Sequence, residues 1–494
     1  MRPRLHLGLV LLMLGSTACS REERMNVVLV TLDTTRADYL GAYGRPGDPT
    51  PTIDALAREG TRFDLAISTA AVTPVSHAAI LTGLENREHG LRVLSAQGGF
   101  RLAPGVPTLA TVLHDQGYRT IAVHSAFPVS STFGFGNGFD VFESVEGELQ
   151  GEGSRRTWDV VKFQRRSDET TRLALDAVKN AREPFFLWIH YWDPHDGVQV
   201  PPKEYLPKNL SRTGENGEVL PSLDLYAAEV SYVDAQFGRL VAALRASGAY
   251  DHTLFVVVAD HGEGLGDHAW EHHRILYQEE IRVPLVVRVP GVRPSGNVAS
   301  LVSTIDIFPT VLDYLGVRAP KPVTGKSLRG LIEGRAEPPR IAFADQINGY
   351  DWNARMVDDH PLFDFLYCAM DADWKLIYRP SRPDKSELYD LAHDPAETRN
   401  LFEERPAEVV RLEKELARRG AWVVAPFEPD GANVDPDAAR AALTALGYAG
   451  SGEPPRAADL RWAWTCPEHT EVRVAERGRC PSCDSPLILV RRDP

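Results

Sequence analysis

Residues 26–44 read NVVLVTLDTTRADYLGAYG, and this stretch decides the fold because a buried strand runs directly into an acidic turn. Its first part, Asn26–Leu32, is a near-continuous apolar and β-branched run, which is typical of a strand buried on both faces of a parallel sheet. The pattern recurs in residues 256–268, VVVADHGEGLGDH, where an apolar run again ends in an acid. Two segments far apart in the chain therefore predict metal-ligand chemistry at the ends of two strands.

Apolar runs and amphipathic stretches alternate over the first two thirds of the chain. Further strands are predicted at residues 120–123, 184–190, 253–259 and 283–289, and helices at 50–59, 108–116, 167–182 and 222–247. Thr50 is expected to cap the first helix, with Pro51 in its first turn. This alternation predicts an α/β fold with a doubly wound, mainly parallel sheet, whose ligands lie at the carboxyl ends of the strands.

The composition argues against a nucleic-acid-binding protein. Of the 494 residues, 43% are hydrophobic and 25% are charged, which is ordinary for a protein with one large domain and one or two small ones. Fifty-four basic and sixty-eight acidic side chains give a net charge of −14. Nucleic-acid phosphates select basic surfaces, so no nucleic-acid partner is expected. The sequence does not indicate an oligomeric state.

The N-terminal residues 1–19 are typical of a secretory signal peptide, with two arginines, an apolar core and a zone of small residues. Cys19 directly follows the small residues and precedes a polar segment, which resembles a bacterial lipoprotein box. Ser16 stands where that box usually has Leu. We therefore expect an exported protein of the cell envelope, either periplasmic or anchored to a membrane through an N-terminal lipid.

Composition divides the rest of the chain into four parts. Residues 25–345 form the main α/β domain with the candidate catalytic groups, and residues 346–423 form a small α+β subdomain with one amphipathic helix at 406–419. Residues 424–460 are rich in Pro, Gly, Ala and Asp, which indicates a linker carrying one short helix. Residues 461–494 contain three of the five cysteines, which indicates a separate metal-binding module.

Side chains at the two strand ends could bind one divalent metal ion. Asp33, Asp260 and His261 provide two carboxylates and an imidazole, a set that suits Mn²⁺ or Zn²⁺ better than Ca²⁺. Thr73 begins the hydroxyl-rich segment TPVSHAAILTG and could supply a fourth ligand. A metal lowers the pKa of a bound hydroxyl and shields an anionic substrate, so the set predicts a hydroxyl nucleophile that attacks phosphate or sulfate esters.

Each of these signals taken alone has a structural explanation. Asp33 could cap a following helix, and Asp260 with its neighbours could form a turn. Ser76 is a rival nucleophile, although its neighbours do not form a Gly-x-Ser-x-Gly turn. Only the joint occurrence of both acidic strand ends with the Thr73 segment favours a metal site.

Six segments, in the order of the family, give the chain a resemblance to the sulfatase family within the alkaline phosphatase superfamily. They are VTLDTTRADYLGAYG (30–44), TPVSHAAILTG (73–83), WIHYWDPHD (188–196), VADHGEGLGDH (258–268), VPLVVRVPG (283–291) and ELYDLAHDPAETRNL (387–401). The resemblance implies an ester hydrolase in which Asp33, Asp260 and His261 bind one divalent ion, Mn, Zn or Ca, and Thr73 occupies the nucleophile position.

The resemblance also implies residues around the anionic ester substrate. His195 and His273 would surround the substrate oxyanion, with His195 as general acid or oxyanion donor. His273 is favoured within a cluster of three histidines by its spacing of twelve from His261. His77 and Arg36 would orient the nucleophile or offset negative charge, although His77 could equally be a packed side chain.

Several positions depart from the sulfatase pattern. That family has Cys or Ser at the place of Thr73, and the residue is oxidised to formylglycine, an aldehyde that Thr cannot form. His77 replaces an Arg, Thr34 replaces the second Asp of a pair, and Pro74 has moved by one position. These changes favour a phosphodiester or phosphonate ester over a sulfate ester, with a phosphothreonine intermediate. An envelope phosphoryl-group transferase and a non-catalytic binding module are the alternatives.

A second metal site is predicted near the C-terminus. Cys466, His469, Cys480 and Cys483 follow the pattern C-x₂-H, ten residues, C-x₂-C, and three sulfurs with one nitrogen favour Zn²⁺. Residues 464–490 resemble the small heavy-metal-binding domain of bacterial copper and cation-efflux proteins, without that domain's methionines. A structural zinc ribbon is therefore favoured over metal sensing or delivery, and over a disulfide between two of the thiols.

Overall fold

The computed structural model describes residues 24–93, 101–103, 105–145, 149–150, 157–158, 164–195, 200–208, 222–270, 274–348, 362, 365–380, 382–419, 462–466, 469, 473–474, 480–483 and 488–491. The predicted signal peptide with Cys19 and the predicted linker at 424–460 lie outside these residues. The domain boundaries drawn from the sequence stay predictions. No helix among the described residues combines the length and the apolar character that a membrane span requires.

The strands are β1 (Asn26–Leu32), β2 (Thr61–Ile67), β3 (Arg119–His124), β4 (Val141–Glu143), β5 (Leu149–Gln150), β6 (Thr157–Trp158), β7 (Phe185–Tyr191), β8 (Thr253–Ala259), β9 (Arg282–Arg288), β10 (Asn297–Ser303), β11 (Ala342–Gln346), β12 (Leu366–Met370), β13 (Trp374–Tyr378), β14 (Glu387–Asp390), β15 (Trp462–Thr465), β16 (Arg473–Val474) and β17 (Ile488–Arg491). The α-helices are α1 (Pro51–Glu59), α2 (Thr73–Thr82), α3 (Asn86–His89), α4 (Leu109–Asp115), α5 (Ser167–Lys179), α6 (Leu223–Ser247), α7 (Gln278–Ile281), α8 (Ile307–Tyr314), α9 (Arg329–Ile332) and α10 (Pro406–Arg418).

The main sheet has eight strands in the order β10-β2-β9-β8-β1-β7-β3-β4. All neighbours pair in parallel except β9, which is antiparallel to both β2 and β8. Every residue of β1, β7 and β8 is buried, which explains why their sequences are apolar without alternation. The predicted doubly wound, mainly parallel α/β sheet is confirmed, with β9 as its antiparallel member.

Helices pack against this sheet in two groups. One group contains α1, α5 and α6, and the other contains α2, α4 and α8. The hydroxyl of Thr108 caps α4 and that of Ser222 caps α6, where it accepts the Leu225 amide at 3.2 Å. Thr50 precedes α1 as expected but forms no side-chain cap. Instead its hydroxyl lies 3.0 Å from the Asp54 carboxylate, so the predicted capping bond was wrong.

A smaller antiparallel sheet follows, with the order β11-β12-β13-β14. Helix α10 packs on β12 and β13 through Val409, Leu412 and Leu416, which are buried along one face. A fully buried Leu side chain contributes roughly 1.5–3 kcal/mol to stability, so this face is enough to hold the helix on the sheet. Near the C-terminus, β15 pairs with β16 and β17 in a third sheet.

Candidate active site

The carboxyl ends of two neighbouring strands bring three candidate ligands together. Strands β1 and β8 pair in parallel with Leu32 opposite Ala259, so the residues that follow them lie at one edge of the sheet. These residues are Asp33 and Asp260, with His261 next in the chain. One ligand atom from each of the three lies within 4.8 Å of the others, and all three side chains are buried.

Hydrogen bonds fix the carboxylate of Asp260. Its Oδ1 atom accepts from the Thr34 amide at 3.1 Å and from the His261 amide at 2.7 Å. Its Oδ2 atom lies 3.5 Å from Nδ1 of His77 and 3.5 Å from Nε2 of His261. Burial raises the pKa of Asp260 well above its ordinary value. The ionised carboxylate therefore needs a nearby cation in order to be stable in this environment.

His261 presents a nitrogen lone pair to Thr73. Its Nδ1 atom donates to the Gly262 carbonyl at 2.8 Å, because a carbonyl oxygen can only accept. Nε2 therefore carries no proton in the neutral ring, and it lies 3.4 Å from Oγ1 of Thr73. Burial lowers the pKa of His261 to about 3, so the ring is neutral at physiological pH. Neutral imidazole is the form that binds a metal.

Thr73 is the first residue of α2, and its side chain is buried. Pro74 follows, which suits the first turn of a helix because that turn needs no backbone N–H donor within the helix. One turn later, Nδ1 of His77 donates to the Thr73 carbonyl at 2.8 Å. Burial lowers the pKa of His77 to about 4, so the ring carries no positive charge at neutral pH.

The hydroxyl of Ser76 is engaged by the helix that carries it. It lies 3.1 Å from the Val72 carbonyl and 3.0 Å from the Thr73 carbonyl, which share its single proton, and it is close enough to Asp260 to oppose the raised pKa of that carboxylate. Such back-bonding is usual for a serine inside a helix. The geometry therefore favours Thr73 over Ser76 as the nucleophile.

The donor set at the edge of the sheet fits a divalent metal ion. Two carboxylates, one neutral imidazole and one hydroxyl converge from β1, β8 and α2 in a buried environment. Buried charges are stable when they are paired or coordinate a metal. A mixed set of oxygen and nitrogen donors suits Mn²⁺ or Zn²⁺, whereas Ca²⁺ takes more ligands and prefers oxygen alone.

Two histidines that the sequence did not single out lie at the same edge. Nε2 of His190, in β7, lies 3.0 Å from Oδ2 of Asp33. The rings of His190 and His77 pack edge to face with centroids 4.9 Å apart. His124, at the end of β3, is the register partner of His190 and is buried as well. The sequence could have indicated both histidines, because each lies at the end of a predicted strand and the strand ends were expected to meet at one edge of the sheet.

His195 lies in the turn after β7, close to these groups. Its ring is 4% exposed and stacks on Trp192 with centroids 3.9 Å apart and an interplanar angle of 16°. It lies near enough to His190 and His261 to contribute to the lowered pKa of each, whose main cause is burial. The structure thus brings His195 to the candidate ligands, and its catalytic role stays a prediction.

The backbone of Thr34 adopts an unusual conformation. Its φ is 46°, a left-handed value that a β-branched residue rarely adopts. This conformation directs the Thr34 amide to Asp260, while the Tyr226 hydroxyl donates to the Thr34 carbonyl at 2.7 Å. Strained residues persist only where their surroundings over-determine them, and they cluster at functional sites. The strain therefore marks the same edge of the sheet as the candidate ligands do.

Two predicted residues are placed differently from the others. The Arg36 guanidinium pairs with Asp38 at 2.9 Å and with Asp267 at 2.8 Å, and both pairs raise its pKa against the effect of burial. These two carboxylates neutralise its charge, and among the described residues it forms no hydrogen bond with Thr73. His273, the other histidine assigned to the substrate, lies outside the described residues.

A separate cluster of potential metal ligands lies near the C-terminus. Sγ of Cys466 lies 3.4 Å from Sγ of Cys483 and 3.7 Å from Nδ1 of His469, which is also 3.7 Å from Sγ of Cys480. All four ligand atoms lie within 4.8 Å of one another. Bonds of about 2.3 Å from zinc to sulfur place tetrahedral ligands roughly 3.5–3.8 Å apart, so the cluster has the dimensions of a zinc site.

Family comparisons agree with this arrangement of the main domain. The family model described as "Sulfatase" matches residues 25–317, and the model described as "N-sulphoglucosamine sulphohydrolase, C-terminal" matches residues 266–420. The first match covers more than half of the chain and includes all four side chains that converge on the candidate metal site. The second covers the small antiparallel sheet and α10.

Relatives include enzymes named for different esters. The chain is 25% identical to an N-acetylglucosamine-6-O-sulfatase of Bacteroides thetaiotaomicron, over 83% of this chain and 88% of the relative. It is 27% identical to a multifunctional alkaline phosphatase superfamily protein of Trinickia caryophylli, over 76% and 91%. The phosphonate monoester hydrolase of Agrobacterium radiobacter shares the fold, with a TM-score of 0.64, 22% identity and coverage of 81% and 96%. The chain therefore belongs to the sulfatase family, and it is an ester hydrolase of the alkaline phosphatase superfamily.

Proposed function

We propose that the protein hydrolyses phosphoric esters, either phosphodiesters or phosphonate esters, with Thr73 as nucleophile. The observation that carries the proposal is the Thr73 hydroxyl at 3.4 Å from Nε2 of the buried, neutral His261. A threonine cannot become the formylglycine of the family's sulfate-ester enzymes, so the phosphoric ester is favoured over the sulfuric ester. A relative named for a sulfate ester and a structural neighbour named for a phosphonate ester are both compatible with this choice.

Asp33, Asp260, His261 and Thr73 would hold one divalent ion. When bound, the ion lowers the pKa of the Thr73 hydroxyl and offsets the negative charge of the substrate. The Thr73 carbonyl is held by Nδ1 of His77, which limits the rotation of the first turn of α2. The N-terminus of α2 also favours an anionic group, because the backbone N–H groups of the first turn of the helix point towards that end.

The reaction proceeds in two steps, formation of a phosphothreonine and its hydrolysis. The Thr73 oxygen, its proton lost to solvent, bonds to phosphorus while the bond from phosphorus to the leaving alkoxide breaks, and His195 gives that alkoxide a proton. Water then bonds to phosphorus, its proton passes to His195, and the bond from phosphorus to the Thr73 oxygen breaks. Thr73 regains a proton from solvent, and the phosphoric product leaves.

A substrate and metal panel tests the reaction class. The soluble protein, stripped with a chelator and reloaded in turn with Mn²⁺, Zn²⁺ and Ca²⁺, is assayed on an aryl sulfate, an aryl phosphodiester and an aryl phosphonate monoester. We expect a phosphorus ester to give the highest kcat/KM with Mn²⁺ or Zn²⁺, and the stripped protein to be inactive. Faster turnover of the sulfate ester would overturn the assignment. If an added sugar alcohol were to raise product release while becoming phosphorylated, the protein would be the transferase instead.

We further propose that Cys466, His469, Cys480 and Cys483 bind one Zn²⁺ that folds the C-terminal module. Small metal modules of this kind owe much of their folding free energy to the metal. The distances of 3.4–3.7 Å among the ligand atoms support this assignment. We also propose that the protein is exported and tethered to the envelope through Cys19, because its N-terminal segment resembles a lipoprotein signal.

Removing one thiol tests the zinc module. The full soluble chain with Cys483→Ser should contain one equivalent of zinc less than the wild type, as measured by plasma mass spectrometry. Cys368→Ser is the matched control, because Cys368 is fully buried in β12, outside the cluster, and burial raises the pKa of its thiol to about 12. Its zinc content should equal that of the wild type. An unchanged zinc content in Cys483→Ser would contradict the site, and loss of two thiols without bound metal would indicate a disulfide.

A further inference from the structure

The loop that follows the candidate metal ligands, residues 262–270, has an unusual backbone. Leu265, His268 and Ala269 have φ values of 52°, 50° and 56°. Residues other than glycine rarely adopt this left-handed region, and such conformations persist only where surrounding contacts over-determine them. Hydrogen bonds within the loop, such as that from the Gly266 amide to the Trp270 carbonyl at 2.8 Å, and contacts from outside it together hold this backbone.

His268 makes the contacts that could supply this constraint. Its Nδ1 atom lies 2.6 Å from Oε1 of Glu279, and its Nε2 atom lies 3.2 Å from the Glu397 carbonyl oxygen. Carbonyl and carboxylate oxygens accept hydrogen bonds, so both ring nitrogens donate and the ring is an imidazolium. The ring also stacks on Tyr277, with centroids 3.9 Å apart and an interplanar angle of 4°.

The partners of His268 are themselves fixed by the C-terminal sheet. The Glu397 carboxylate pairs with Lys375 of β13 at 2.7 Å and accepts the Gln278 amide at 2.6 Å. The Tyr277 hydroxyl donates to Glu387 of β14 at 2.9 Å. His268 thus connects the loop of the main domain to two strands of the smaller sheet.

A path of hydrogen bonds, joined by the backbone between Glu279 and Glu280, leads from His268 to the candidate metal site. Glu279 lies in α7 next to Glu280, whose carbonyl accepts the Gly262 amide at 2.7 Å. The Gly262 carbonyl in turn accepts Nδ1 of His261 at 2.8 Å. Gly262 and α7 are in close contact, because a Cβ atom at position 262 would lie 2.0 Å from the Glu279 carbonyl oxygen. Movement of α7 would therefore move the His261 ring.

We propose that His268 is a positioning residue: its imidazolium clamps the loop and α7 to the C-terminal sheet, and thereby keeps His261 aligned with Thr73 and the metal. The inference rests on the proposed metal site. The C-terminal subdomain would thereby help to set the geometry of that site, although none of the predicted ligands of the site lies in this subdomain.

The clamp is sensitive to pH on the alkaline side. The hydrogen bond to Glu279 raises the pKa of His268 to about 9. The other groups facing the ring are Glu397, Asp394 and the Tyr277 phenol. A folded-state pKa above the unfolded value of about 6.5 means that the stabilisation is complete below about 6.5 and declines as pH rises, until it is lost above about 9.

Hydrogen exchange of the holoprotein, saturated with Mn²⁺, tests the clamp without any substrate. Exchange of peptides covering residues 262–270 is measured from pH 7 to 10.5 and corrected for the intrinsic rate. Wild type should lose protection with a midpoint near pH 9. In His268→Gln, the amides of residues 262–270 should exchange about tenfold faster at pH 7.5. The Mn²⁺ affinity of this variant should fall about tenfold, the scale seen when groups supporting metal ligands are removed. Glu279→Gln should move the midpoint towards about 6.5.

His393→Gln serves as the control, because His393 is an 84% exposed histidine paired with Asp390 at the surface. It should leave both the midpoint and the Mn²⁺ affinity unchanged. An unshifted midpoint in Glu279→Gln, or unchanged protection in His268→Gln, would overturn the clamp. These readouts are independent of which ester is cleaved, so a failed substrate assignment would leave them interpretable. Should no variant and no wild type bind Mn²⁺, the proposed metal site itself would fail.

Discussion

Thr73→Val should reduce kcat on any ester that the wild type cleaves by roughly 10³-fold or more, because it removes the nucleophile and keeps the shape of the side chain. Thr73 is 1% exposed, and a methyl group in place of the hydroxyl leaves no cavity. The bond from His77 is to the Thr73 backbone carbonyl, so the start of α2 stays intact. The measurement is single-turnover kinetics with intact-protein mass spectrometry, in which wild type alone should show a phosphorylated Thr73.

Two matched variants make this result decisive. Thr73→Ser retains a hydroxyl at the same place and should keep activity within about tenfold of wild type. Ser76→Ala removes a hydroxyl that contacts the Val72 and Thr73 carbonyls and also interacts with Asp260, so it should lower turnover far less than Thr73→Val and should still form phosphorylated Thr73. Full activity in Thr73→Val would eliminate Thr73 as the nucleophile, and inactivity in Ser76→Ala with normal metal binding would transfer that role to Ser76.

The fold was predictable because burial on both faces leaves a plain signature. Strands β1, β7 and β8 are largely apolar and show no alternation, and their ends fall within a residue or two of the predicted ends. The antiparallel direction of β9 was not predictable, because an apolar run does not record the direction of its neighbours. The predicted helix at 167–182 ends early at Lys179, four residues before Glu183, whose conformation is restricted by Pro184.

The candidate site was only partly predictable. Asp33 and Asp260 stand directly after strands, so the sequence places them at one edge as soon as the strands are known to be neighbours. His190 is the penultimate residue of β7, and only the register of β7 against β1 brings its ring to Asp33. The positive φ of Thr34 has no sequence signal in a residue type that avoids it. Arg36 was expected to orient the nucleophile or offset negative charge, and its pairing with Asp38 and Asp267 was not foreseeable.

The C-terminal subdomain illustrates a further limit of sequence reasoning. Glu397 and Lys375 are separated by an entire hairpin, and neither belongs to an obvious motif of charged residues. In the folded chain both side chains are 0% exposed and their charged atoms are 2.7 Å apart. Burial raises the pKa of Glu397, and the Lys375 ammonium opposes that shift. The pair is thus a buried charge system that also orients the partners of His268.

Lys375→Met should destabilise the protein by about 3–5 kcal/mol, because it leaves the Glu397 carboxylate buried without its counter-charge. The methionine is apolar and similar in length to the lysine stem, so loss of packing contributes little. Lys375→Met/Glu397→Gln should recover much of this loss, since the neutral amide still accepts the Gln278 amide without leaving an unpaired charge. Denaturant unfolding monitored by tryptophan fluorescence gives both values. Equal stability of Lys375→Met and wild type would mean that the Glu397 charge is already compensated elsewhere. If the double variant is more stable than Lys375→Met, the buried carboxylate, rather than the missing ammonium contacts, is the source of the instability.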